Sequence, residues 1–451
     1  MRTHQGALGT VEDLRTKESA PGRVQRRRGG ESRYWLVQAY PPSPDGYPAA
    51  CVEVVESLVV GREPALDGRL LVRDQAMSRT HTVLYRKEDQ LHLQDQKSTN
   101  GTFLNGDKVG SARILHQDVL RCGDTLFVVA EGEPQPRPDL RKKDIVVCSE
   151  PIARAFKRAE EVSHRRSTLL IVGETGTGKD VLAGHVHFLS RRRGKFVAVN
   201  CAAIQEGLAE ALLFGSKKGA FTGAEDSEGI FSAANSGTLF LDEIGELSPT
   251  SQAKLLRFLE THEITPVGAT GPVAVDVRII AATNRADGSG SIGGTLREDV
   301  RGRLEDDVVL LPPLRSRKEE IVPLVWHTLK QESKAPEELL GADFVQELLL
   351  YSWPRNVRQL VKAVRNCVSH LGPDGRQFEL SLLDELLVAP ASAATDGPAA
   401  GVSWDKAPTR DELIELLDAA RHNISEVARR VGCHRMQIHR WMKRYDIKSP
   451  W

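Results

Sequence analysis

The stretch STLLIVGETGTGKDVLAGHVHF, residues 167–188, constrains this chain more than any other. An apolar run of buried-strand length meets a glycine-rich turn and then a helical pattern. Gly173 to Lys179 satisfies GxxxxGK. The backbone amides of Gly173, Glu174, Thr175, Gly176, Thr177 and Gly178 can therefore cradle phosphates at a helix N-terminus, with Lys179 reaching the outer ones. Asp180 stands next, where the general motif has Ser or Thr, so a magnesium ion would lack its usual hydroxyl ligand. Downstream, GTLFLDE (237–243) reads as a second buried strand ending in two carboxylates. Such a pair can hold the magnesium shell through Asp242 and polarise an attacking water through Glu243. VDVRIIAATN (275–284) is a third such strand, and Asn284 at its end can sense a γ-phosphate. Strands alternating with helices build a parallel sheet whose ligands bind at the strand C-termini.

Length and composition bound the rest. The 451 residues give room for about three domains at ~150 residues each. No apolar run approaches the ~18 residues of a spanning helix, and the opening MRTHQGALGTVEDLRTKESA lacks the apolar core of a signal peptide. Six scattered cysteines without CxxC spacing suit a reducing cytosol better than a disulfide or zinc framework. Membrane, secreted and fibrous classes are excluded, and a cytoplasmic location is expected.

Two composition shifts cut the chain. Residues 131–144, EGEPQPRPDLRKKD, are Pro-rich and charged and read as a surface linker. Residues 389–403, small, polar and Pro-containing, read as a flexible tether. Residues 1–30 have too few apolar side chains to join a core and read as a disordered tail. Folded pieces are expected at 31–130, 145–388 and 404–451.

The first piece shows short apolar runs split by turn residues, with Asn-Gly at 100–101 and 105–106, the pattern of an all-β sandwich. Gly61-Arg62, Ser78-Arg79-Thr80-His81, Ser98-Thr99-Asn100-Gly101-Thr102 and Asn105-Gly106 resemble the forkhead-associated (FHA) domain in motif and order. That resemblance implies a phosphothreonine reader. Arg62, Ser78 and Thr99 would face the phosphate, Arg79 would assist, and Asn100 would hold the peptide main chain. His81 would brace loops rather than touch ligand. A guanidinium fork with hydroxyl donors suits a dianionic phosphate.

Across the second piece, GETGTGKD, LFGSKKGAFTGAE, NSGTLFLDEIGELS, VDVRIIAATNR, LREDVRGRLEDDVVLLPPLRSR and WPRNVRQL occur in order. They resemble the AAA+ ATPase domain of sigma-54-dependent transcriptional activators, the bacterial enhancer-binding proteins. The resemblance implies an α/β subdomain at 145–312, a helical lid at 313–388, and ATP with Mg²⁺ as cofactors. In that family an acidic residue follows GK, as Asp180 does. Gly219, Ala220, Phe221, Thr222, Gly223 and Ala224 match the GAFTGA loop that contacts sigma-54. Asn200 matches the residue that holds the catalytic Glu in check, and Arg297 and Arg303 match arginine fingers serving a neighbour's nucleotide. Arg358 matches the lid arginine called sensor II. Fingers in trans imply a homo-oligomeric ring, hexameric by family analogy. Leu212, Ser216-Lys217, Leu296 and Arg355 depart from the family pattern, and none removes a catalytic group.

The third piece is basic: from Arg421 to Trp451 eight Lys and Arg face two acidic residues. A helix, then Ser425 to Val431, a turn at Gly432-Cys433, and His434 to Tyr445 give a helix-turn-helix. Met436 and Trp441 face its core, while Arg435, Gln437, Arg440 and Arg444 can meet DNA. The pattern resembles the Fis-type C-terminal domain of the same activators.

The expected protein has three parts: an all-β FHA sandwich, an α/β AAA+ P-loop ATPase with a helical lid, and a small all-α helix-turn-helix domain. Its expected partners are a phosphothreonine-containing protein, the sigma-54 RNA polymerase holoenzyme and enhancer DNA. Two rival readings remain: a DNA-bound regulator whose ATPase only controls oligomeric state, and a phosphoprotein-tethered remodeller without a promoter role.

Overall fold

Every strand of the first piece is short, and eleven of them form two facing sheets. The computed structural model describes residues 33–62, 69–134, 145–220, 225–284, 296–371, 377–378, 380, 382–383, 408–420, 424–431, 438, 441–442, 445 and 447. The strands are β1 (Tyr34–Tyr40), β2 (Ala50–Val54), β3 (Ser57–Gly61), β4 (Arg69–Leu71), β5 (Thr82–Lys87), β6 (Gln90–Asp95), β7 (Thr102–Leu104), β8 (Asp107–Val109), β9 (Ser111–Ile114), β10 (Val119–Cys122) and β11 (Thr125–Glu131). One sheet runs β2-β1-β11-β10-β7-β8 and the other β4-β3-β5-β6-β9. Leu36, Leu84, Leu93, Leu120 and Phe127 interdigitate between them. The expected linker therefore begins inside a strand at Glu131, and residues 135–144 lie outside the described residues.

The second piece is a parallel sheet with helices on both faces. Its elements are α1 (Glu150–Ser163), β12 (Leu169–Val172), α2 (Lys179–Ser190), β13 (Phe196–Asn200), α3 (Ala209–Phe214), α4 (Ile230–Ala233), β14 (Thr238–Asp242) and α5 (Pro249–Thr261). A two-residue hairpin, β15 (Glu263–Ile264) with β16 (Val273–Ala274), follows, then β17 (Arg278–Thr283), α6 (Glu298–Leu304) and β18 (Asp307–Leu310). The order is β13-β14-β17-β12-β18, all parallel. β12 is buried along its whole length, as its uninterrupted apolar run requires of a two-sided sheet. The lid contains α7 (Ile321–Gln331), α8 (Pro336–Leu339), α9 (Ala342–Leu350) and α10 (Asn356–Ser369) around a fully buried Trp353. Trp353 satisfies its indole by donating Nε1–H to Leu348 O at 2.8 Å.

One feature was not foreseen from the sequence. Ala39, Val119, Leu126 and Val128 of the sandwich belong to the lid's hydrophobic core, beside Leu314, Ile321 and Phe344. β11 is buried on both faces: Phe127 and Val129 point into the sandwich, Leu126 and Val128 into the lid. The third piece has α11 (Arg410–Ala419), opened by a Thr409–Glu412 capping box, and α12 (Ile424–Val431). Leu413, Leu417, Val427, Val431, Ile438 and Trp441 form its core, so Trp441 faces inward as expected.

Candidate functional site

The P-loop runs from Gly173 to Gly178 between β12 and α2. Gly176 and Gly178 take φ of +79° and +101°, a region open to glycine. A Cβ on Gly176 would lie 2.3 Å from Arg355 O, so the turn and the lid abut here without room for a side chain. Lys179 is buried, and its Nζ donates to Gly173 O and Asn284 Oδ1, both at 3.0 Å. Glu243 Oε1 stands 3.5 Å and Asp242 Oδ1 4.0 Å from the same nitrogen. Thr175 Oγ1 donates to Asn284 Oδ1 at 3.2 Å. Residues from the ends of three neighbouring strands, β12, β14 and β17, thus converge on one ammonium group. Amides, a lysine and two carboxylates form a donor set that suits a nucleoside triphosphate with a divalent cation.

The lid clasps this turn. Glu174 receives a bidentate pair from Arg315 at 2.8 and 2.6 Å and a bond from Asn356 Nδ2 at 3.1 Å. The Arg315 bonds hold the Glu174 carboxyl below its ordinary range. Asn356, fully buried, also donates to Thr175 O at 3.0 Å and accepts from Leu314 N at 2.7 Å. Arg358, exposed on α10, sits over the turn with its backbone N–H 3.4 Å from Gly176 O. Arg355, one of the departures from the family pattern, has φ −108°, a backbone conformation open to any residue. Arg315 and Asn356 are site residues that the sequence analysis does not single out; the available signal is the Asn that follows Arg355 in WPRNVRQL.

Other candidates sit apart. Asn200 pairs in register with Asp242 across β13 and β14, but its side chain accepts from Ala202 N at 2.9 Å rather than meeting Glu243. Asp180 is exposed in the first turn of α2. Arg297 pairs with Asp299 and Arg303 with Glu260, both exposed on or beside α6. Gly219 and Ala220 are in place, and Phe221, Thr222, Gly223 and Ala224 lie outside the described residues, as do Arg435, Gln437, Arg440, Arg444 and Met436.

In the sandwich, three loops meet at one end. Gly61 has no room for a Cβ, which would fall 2.0 Å from Arg79 O, and Arg62 N–H donates to Ser78 O at 3.2 Å. Ser78 Oγ accepts from Thr99 N at 3.0 Å, and Asn100 Nδ2 donates to Ala76 O at 2.7 Å. His81 is fully buried; its Nδ1 accepts from Ser78 N and its Nε2 faces Gly101 O, each at 3.1 Å. An acceptor Nδ1 fixes the neutral Nε2–H tautomer, and burial depresses the ring's basicity. Arg62, Ser78, Thr99 and Asn100 are thereby brought together, with Arg62 and Arg79 exposed. Behind them Asp74 Oδ2 accepts from Asp124 N and Thr125 Oγ1, both at 2.8 Å, tying this end to the β10–β11 turn.

Three family profiles match: Sigma-54 interaction domain over residues 145–309, FHA domain over 58–123, and Homeodomain-like domain over 409–449. The transcriptional regulatory protein GlrR of Escherichia coli is 34% identical over 320 residues, which cover 70% of this chain and 71% of that protein. The chain belongs to the sigma-54-dependent transcriptional activators. Another activator-family relative, the putative uric acid sigma-54-dependent transcriptional regulator UacR of Escherichia coli, is 40% identical over 315 residues, 66% of this chain and 53% of its own. NtrX from Brucella abortus, solved in complex with ADP, is 32% identical, with a TM-score of 0.49 over 67% of this chain and 70% of that one. The chain spans about half the length of several curated relatives. The chain thus joins an FHA sandwich, an AAA+ sigma-54 interaction domain and a C-terminal helix-turn-helix. Among the described residues no helix is long and apolar enough to cross a membrane.

Proposed function

We propose that this activator hydrolyses ATP to remodel the closed complex of sigma-54 RNA polymerase, while bound to enhancer DNA and governed by a phosphothreonine protein. The observation that carries this reading is the convergence of Glu243, Asp242 and Asn284 on Lys179 at the sheet's C-terminal edge. Lys179 and the P-loop amides bind the phosphates, Glu243 polarises the attacking water, and Asn284 reports the γ-phosphate to the strand. Asp242, with exposed Asp180 nearby in the motif, would hold Mg²⁺, which neutralises phosphate charge. Arg297 and Arg303, exposed on the α6 side, serve the nucleotide of a neighbour in a ring, and Arg358 closes from the lid. Asn200 restrains Glu243 through the strand pair it shares with Asp242.

Work is delivered by the Gly219–Ala224 loop, with Phe221 and Thr222 against sigma-54. Arg62, Ser78, Arg79, Thr99 and Asn100 read phosphothreonine, and Arg435, Gln437, Arg440 and Arg444 meet DNA, all in the cytoplasm. ATPase and promoter opening, measured side by side, separate motor from work. Glu243→Ala is expected to keep ATP bound and lower turnover by about 10²-fold or more. Thr222→Ala is expected to keep turnover and lose open-complex formation. Normal promoter opening by Thr222→Ala would sink the activator mechanism.

A further inference from the structure

The sandwich meets the lid through more than apolar contact. Tyr40 donates its hydroxyl to Leu340 O at 2.7 Å, and Arg121 Nη1 reaches Asp343 at 2.6 Å and Gln346 at 3.2 Å. Beside these bonds lies Gln117, buried between β9 and β10, with φ +67°. A residue other than glycine rarely accepts that conformation without tertiary support. Its backbone N–H is held by Val129 O at 2.7 Å, and its carboxamide is spent on the lid. Nε2 donates to Glu319 Oε2 at 2.9 Å, Oε1 accepts from Lys318 N, and the backbone oxygen accepts from Lys318 Nζ at 2.8 Å.

The turn so gripped continues into the nucleotide site. Arg317, Glu319 and Glu320 are all buried. Arg317 Nη1 donates to Glu320 Oε2 at 2.7 Å, and Nη2 donates to the P-loop carbonyl of Thr177 at 2.9 Å. Glu320 Oε1 in turn accepts from Ser149 Oγ at 2.7 Å. A buried guanidinium bonded on two sides has one orientation, and moving residues 318–320 would move it.

We propose that Gln117 is a positioning residue for the nucleotide site: from the sandwich it fixes the 317–320 turn, and through Arg317 it sets the P-loop at Thr177. This rests on the reading of Gly173–Lys179 as the ATP site. The peptide-reading end belongs to the same rigid sandwich, because Asp74 ties Ala76, the acceptor of Asn100, to the β10–β11 turn beside Arg121. A reader docked in this way bears on ATP affinity without touching ATP.

The test uses the full chain at pH 8, where Glu319 is ionised although burial has pushed its carboxyl up to about 7. Gln117→Glu sets a second carboxylate against Glu319, and adding Glu319→Gln exchanges the two groups and restores one amide–carboxylate pair. Gln117→Met keeps the volume and loses the bonds, should Gln117→Glu fold poorly. Three quantities are read: affinity for a fluorescent ADP analogue, affinity for a phosphothreonine peptide, and hydrogen exchange over 173–180 and 314–321 without nucleotide. Gln117→Glu, or Gln117→Met in its place, is expected to weaken ADP about tenfold and speed exchange in both segments, with peptide affinity unchanged. The exchanged pair is expected to return ADP affinity to within about twofold of wild type. Unchanged P-loop exchange in the single variants, or no recovery in the exchanged pair, overturns the proposal. A wild-type chain without ATP turnover would instead overturn the motor reading, since exchange is read without nucleotide.

Discussion

Arg62 follows β3 directly, with its N–H bonded to Ser78 O and the residue exposed to solvent. In the proposed phosphate-reading role, its removal would cost a phosphopeptide charge-assisted bonds of roughly 1.5–3 kcal/mol each. Arg62→Ala is therefore expected to weaken a phosphothreonine peptide about ten- to hundredfold, with basal ATPase intact; calorimetry that finds unchanged affinity removes Arg62 from the phosphate site. Glu319 offers a second test at this scale. Burial raises its carboxyl to about 7 from an ordinary 4.5. Between those values the folded chain binds more protons than the unfolded one, so stability falls as pH rises through that window, and the cost stays in full above it. Glu319→Gln removes the titration and is expected to flatten the decline by up to about 3 kcal/mol. Urea unfolding at pH 5 and pH 8 checks this, and equal declines in both proteins would refute it.

At the scale of elements, legibility followed sequence distance. The P-loop could be read because its amides, lysine and helix start lie in one short run, and the strand ends at Asp242 and Asn284 announced themselves by apolar runs stopping at polar residues. DTLFVVA carried a further message in its unbroken apolar run: a half-exposed sandwich strand alternates, and β11 does not. The pattern called for a cover on the second face but named none. Gln117 and Glu319, which supply the polar part of that cover, are 202 positions apart, and no local periodicity links them. The tail was legible as helices with an apolar core and a basic balance. Contacts to about four to six phosphates predict a log–log salt slope of roughly −4 to −5 per monomer for DNA binding. A slope near zero would mark the basic surface as merely solvated.

At the scale of the whole molecule, the FHA sandwich and the helical lid are joined by a shared hydrophobic core, not only by the segment between them. The sequence suggested beads on a string, because Pro and charge after Glu131 mark a chain that leaves one piece before entering the next. Connectivity and packing are separate questions, and only the first is written locally. β11, with Phe127 and Val129 facing one way and Leu126 and Val128 the other, sets a practical limit on rebuilding such regulators. A sandwich cut out alone would carry Ala39, Val119, Leu126 and Val128 as a bare oily flank, inviting self-association. A foreign sandwich grafted onto this lid would leave the matching lid surface uncovered, unless it brought the same four small and branched side chains at the same strand positions. Sensor swapping here is a problem of matching surfaces before it is one of choosing ligands.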